Sequence, residues 1–154
     1  MSESRLERLT TYQKVLRTSL ETCMDDYCAA LNTHDFVNVA PYFVAEPVVW
    51  YTNVEIYHHR TLAMHMHNVW KDIPDEVYAT FGRKWPVISA DHATCCYYFR
   101  YEGHTTEGFI RKFGKGTNVL VRQDGIWKIS HMNLGSLPKD LEKQLETEYS
   151  TVEK

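Results

Sequence analysis

Gly116-Thr117-Asn118-Val119-Leu120-Val121-Arg122-Gln123-Asp124-Gly125-Ile126-Trp127-Lys128-Ile129-Ser130-His131 is the stretch that decides the fold. Apolar and polar residues alternate on both sides of Asp124-Gly125, a pair that tolerates the positive φ values a tight hairpin demands. The pattern predicts a strand over 107–122, with a bulge or bend at Gly114 and Gly116, and a closing strand over 126–134. Upstream, 93–101 reads as a long aromatic strand, and 77–81 and 84–88 as two short ones. The second half of the chain is therefore an expected antiparallel meander.

The first half reads differently. Leu6, Leu9, Tyr12, Leu16, Leu20, Cys23, Tyr27 and Leu31 recur at steps of three and four, one apolar stripe on a long helix. Asn32-Thr33-His34-Asp35 ends it, and Asp35 is placed to cap a short helix over 36–43 that Pro41 keeps from growing. Residues 47–53 have strand composition, and 61–72 a third helix ahead of Pro74. Helices first and meander second give an α+β class. One domain over 1–138 is expected, followed by a charged tail over 139–154.

With 154 residues, 44% hydrophobic and 24% charged, the chain has enough material for one core, burying roughly two-thirds of its unfolded surface. A net charge of −3 with scattered Lys and Arg argues against nucleic acid. No apolar run approaches the ~20 residues of a membrane span, and residues 1–10 are polar where a secretory signal would be apolar. A cytoplasmic location is expected. The four cysteines lack zinc-ribbon spacing and read as small buried hydrophobes, the other reading being a nucleophile at Cys95 or Cys96.

Asn32-Thr33-His34-Asp35 before Val39-Ala40-Pro41-Tyr42-Phe43, taken with 116–131, resembles SnoaL-like domains of the nuclear transport factor 2-like superfamily over about residues 20–137. The chain departs where that family often has a glycine before its third helix, having Tyr57-His58-His59-Arg60 instead. The resemblance implies a curved antiparallel sheet wrapped around the long N-terminal helix, a cone with a central cavity. It also implies a homodimer joined through the outer sheet face. Functions in that superfamily range from ketosteroid isomerases, cyclases and dehydratases to the hub domain of a kinase, so fold alone does not choose among them.

Strand alternation proposes a cavity lining, since residues two apart share a face. Trp127, Ile129, His131 and Asn133 form one set, and Cys95, Tyr97, Phe99 and Tyr101 another. Tyr98 and Arg100 would then face outward, toward a partner. His131 is the candidate proton carrier, and Tyr27 on the helical stripe a candidate hydroxyl donor. Trp50, Tyr97, Tyr101, Trp127 and Asn133 are candidate ligand contacts. No inward acid stands out on the last three strands, because Glu102 falls on the other face and Glu107 sits at a turn. His58, His59, His65 and His67 raise a metal site, but His65 and His67 point about 200° apart on a helix, which leaves only a convergence of His59 and His65 across the turn, and no metal is expected. No motif calls for a cofactor.

Two function classes remain open. One is a small-molecule enzyme of isomerase, cyclase or dehydratase type acting on an apolar or aromatic metabolite. The other is a non-catalytic ligand-binding or dimerisation module.

Overall fold

The computed structural model describes residues 4–153, apart from the side chains of Leu9 and residues 151–153. Leu9 of the predicted stripe, and the ends of the polar leader and the tail, lie outside the described residues. Helix α1 (Arg5–Leu31) starts in a capping box, Ser4 accepting from Glu7 N and the Glu7 side chain accepting from Ser4 N. Its buried face is Leu16, Leu20, Met24, Tyr27 and Leu31. Leu6 and Tyr12 of the predicted stripe are exposed. A helix of 27 residues is about 40 Å long, and its first turns extend past the residues that cover it.

Asp35 caps α2 (Phe36–Val39) by accepting from Val37 N at 3.0 Å. A 3-10 turn over Ala40–Tyr42, with Pro41 inside it, delivers the chain into β1 (Phe43–Tyr51), then β2 (Val54–Ile56) and α3 (His59–Asp72). Next come β3 (Val77–Ile88), β4 (His92–Thr105), β5 (Gly108–Gln123), β6 (Ile126–Ser136) and α4 (Lys139–Glu153). The two short strands predicted at 77–81 and 84–88 are one strand, broken in register where Gly82 takes φ +62. Asp124 and Gly125 both take positive φ, as the hairpin required.

The sheet order is β2-β1-β6-β5-β4-β3. The meander is antiparallel, but β1 pairs with β6 in parallel, so the sheet is mixed rather than wholly antiparallel. The α+β class and the packing of α1 on the concave face hold. Trp127 Nε1 donates to Ser19 Oγ at 3.0 Å and Tyr27 faces Met132, which identifies the inner side of β6. At the edge strand, Arg83 joins α1 through Glu21 at 2.8 Å and Asp25 at 2.7 Å, while donating to Thr80 on its own strand.

Within the tail predicted over 139–154, Lys139–Glu153 form helix α4, docked on the outer sheet face at β4 and β5. Tyr149 lies between two guanidiniums, 4.4 Å from Arg100 and 4.3 Å from Arg111, and Arg111 pairs with Glu102 and Glu146. Arg100 is therefore covered by the chain's own helix.

Asn32 joins the end of α1 to the start of β3. Its side-chain amide donates to Tyr78 O at 2.9 Å and accepts from Tyr78 N at 2.8 Å. Losing both bonds in Asn32→Ala should cost about 2 kcal/mol, a fall in Tm of roughly 4–8 °C for a domain of this size, checked by thermal melting.

Candidate functional site

A cavity of about 610 Å³ opens between the end of α1, α3 and the inner sheet face. Its wall is aromatic, with Tyr27, Tyr51, Trp70, Tyr78, Phe99 and Tyr101, and the exposed Thr52, Asn53, Asp72 and Ser136 lie at its rim. Volume and lining suit a small, largely apolar molecule.

Glu76 lines this cavity and is only 9% exposed. It comes from the turn before β3, and its backbone is pinned from three sides. Its N–H donates to Ile73 O at 3.0 Å. Its carbonyl accepts from His34 Nε2 at 2.8 Å, which fixes the proton on that nitrogen because a carbonyl oxygen cannot donate. Gly103 backs it so closely that an added Cβ would sit 3.2 Å from Glu76 Cα. His34 reaches it by adopting φ 56 and stacking on Trp70 at 5.2 Å. The Asn32-Thr33-His34-Asp35 motif thus locks residues 76–78 onto the end of α1 and holds Glu76 and Tyr78 at the cavity.

Burial pushes the Glu76 carboxyl pKa up, partly countered by the field of His34. The Tyr51 hydroxyl is also raised, first by burial and then by the charge of Glu76. His65 stacks on Tyr51 at 4.4 Å, and burial lowers its pKa, so its imidazole is neutral. Tyr27, raised well above its ordinary range by burial, directs its hydroxyl at Met132 Sδ, 3.9 Å away.

Of the residues proposed from alternation, Tyr27 and Tyr101 line the cavity. His131 and Asn133 do not. Val119 pairs with His131 while Leu120 pairs with Ile129, leaving Ser130 as an extra residue in β6. That bulge reverses the alternation, so Met132 turns inward after Ile129 and His131 turns outward. His131 donates from Nδ1 to Val48 O at 2.9 Å and packs edge-on against Trp50. Trp50 is 40% exposed on the same outer face, with Tyr51 taking the inward position expected of it. Trp127 is buried against Ser19, away from the cavity. Tyr97 is core, its hydroxyl donating to the fully buried Asn118 at 2.8 Å.

Burial lifts the Cys95 thiol to about 12 and that of Cys23 to about 11, so neither is a thiolate nucleophile near neutral pH. His59 donates to Val44 O at 2.7 Å while His65 stays on Tyr51. Among the described residues, no three His, Cys, Asp or Glu side chains come together as a metal site. Strand alternation does not single out Glu76 or Tyr51, and in the sequence His65 stands only as a metal candidate and His34 only within the stretch that ends the first helix. Glu76 carries no periodic signal, since it stands just before β3 begins at Val77.

No family model and no curated protein matches the sequence. Solved structures do. A Novosphingobium aromaticivorans protein assigned as a scytalone dehydratase superposes with a TM-score of 0.76 at 17% identity, over 84% of this chain and 89% of that one. A Xanthomonas campestris protein assigned as a calcium/calmodulin-dependent protein kinase II association domain gives 0.69 at 16%, over 77% and 86%. A further N. aromaticivorans protein, described as nuclear transport factor 2-like with a cystatin-like fold, gives 0.73 at 10%, over 89% and 92%. Among the described residues, no helix is long and apolar enough to cross a membrane. The chain thus has the nuclear transport factor 2-like, cystatin-like fold that its SnoaL-like stretches implied.

Proposed function

We propose that the cavity binds an apolar or aromatic metabolite and moves a proton on it, in chemistry of the isomerase, cyclase or dehydratase type. The observation that carries this reading is Glu76, a buried carboxyl in an aromatic wall whose pKa is driven upward. Proton transfer is most efficient when the group's pKa lies near the working pH, and burial moves a glutamate that way. Neutral His65 is a second group able to accept a proton, and the Tyr27 hydroxyl a donor toward an oxygen that gains charge. The likeness to a protein assigned as a scytalone dehydratase lends the reaction class support through the fold.

The test is metabolite capture from cell extract by the wild type and by Glu76→Gln. A compound held by both and transformed only by the wild type supports proton transfer. A compound held by the wild type and never transformed supports a binding module instead.

A homodimer through the outer sheet face belongs to the same proposal. Trp50 and Tyr57, 40% and 43% exposed and joined by a 3.2 Å hydrogen bond, give that face an apolar centre beside His131. A monomeric mass in light scattering would rule this dimer out.

A further inference from the structure

Charge in the cavity is one-sided. Among the described lining residues, Asp72, Glu76 and Glu142 face Lys112 as the sole ammonium, and His65 is neutral. None of the ion pairs among the described residues includes Glu76. The group whose field counters burial at Glu76 is His34, and the Nε2–H of His34 is committed to the Glu76 carbonyl rather than its carboxylate. A buried carboxylate without a cation is costly, and that cost falls when a partner of opposite charge arrives.

The surroundings favour the same partner. Glu76 lines the same cavity as Tyr51 and Tyr101, and after burial its charge is what raises both hydroxyls. Aromatic faces are negative, and a cavity lined by tyrosine, tryptophan and phenylalanine rings favours a desolvated cation. We infer that the cavity selects an organic cation, an apolar or aromatic compound bearing an ammonium group that sits against Glu76 among the rings of Tyr27, Tyr51, Trp70, Tyr78 and Tyr101. This rests on the reading of the cavity as a small-molecule site and names the chemical class of its ligand. Anionic ligands would meet the buried Glu76 and are selected against.

Isothermal titration of the whole chain with benzyltrimethylammonium, benzyl alcohol and phenylacetate, near neutral pH and at low salt, tests it. The cation should bind at least about tenfold more tightly than the alcohol, and phenylacetate most weakly. Glu76→Gln should erase the preference for the cation, so that cation and alcohol bind within about twofold of each other. Equal binding of cation and alcohol to the wild type overturns the inference and leaves the cavity reading standing. A cation preference that survives in Glu76→Gln puts the charge elsewhere and likewise overturns it. If none of the three binds the wild type at millimolar concentration, the inference and the cavity reading both fail. The wild-type comparison decides without any variant should Glu76→Gln not fold.

Discussion

Glu76→Gln is expected to lower turnover of the cavity's own substrate by about 10²- to 10⁴-fold, the usual worth of one positioned proton-transfer group. The same substitution should change how stability depends on pH, and the sign follows from the upward shift of Glu76. A carboxyl whose folded pKa exceeds its unfolded value favours the fold when protonated. That contribution is complete below the unfolded pKa and is lost as pH rises through the folded pKa. The wild type should therefore lose stability over that interval, while Glu76→Gln, nearly the same in shape and never charged, should lack that loss and be the more stable protein at neutral pH. Chemical denaturation of both proteins across that range checks it. Lower activity with higher stability is the signature of a functional group held in an unfavourable setting. A glutamate placed only for structure would lower both.

The second large effect concerns the backbone. At Gly114 an added Cβ would collide with the Phe99 ring and lie 2.6 Å from Gly135 O, a backbone atom of the neighbouring strand that cannot swing aside. Gly114→Val should cost about 3 kcal/mol or more, lowering Tm by roughly 6–12 °C, and should disturb Phe99 in the cavity wall. Gly135→Ala is the matched control, because its Cβ meets nothing within 4 Å, and a change within about 0.5 kcal/mol is expected. Thermal melts of the two variants side by side separate packing from the general effect of removing a glycine.

These residues also show what the chain discloses before it is folded. Asp124-Gly125 and the alternation on either side determine a hairpin by local stereochemistry, and Gln123 pairs with Ile126 as that requires. Asp35 likewise caps its helix through an amide two residues away. Such features depend on near neighbours and are legible. The position of His131 depends on one extra residue, Ser130, whose hydroxyl donates to Val119 O across the strand pair. A bulge of that kind leaves no mark in composition, yet it reverses the face of every residue that follows. Trp50 misleads differently, since its size suggests burial while its neighbour Val49 occupies the inward position with no exposure. Glu76 lies in a turn, outside any periodic element, and its burial comes from His34, Gly103 and Ile73 meeting in the folded chain.

If the cavity at Glu76, and not the outer face at His131, receives the ligand, amide chemical-shift mapping of the ¹⁵N-labelled protein with benzyl alcohol will show it. Saturable shifts centred on Tyr51, Glu76, Tyr78 and Tyr101 are expected; shifts centred on Val48, His131 and Asn133, or none at millimolar probe, would overturn the assignment of the ligand to the cavity.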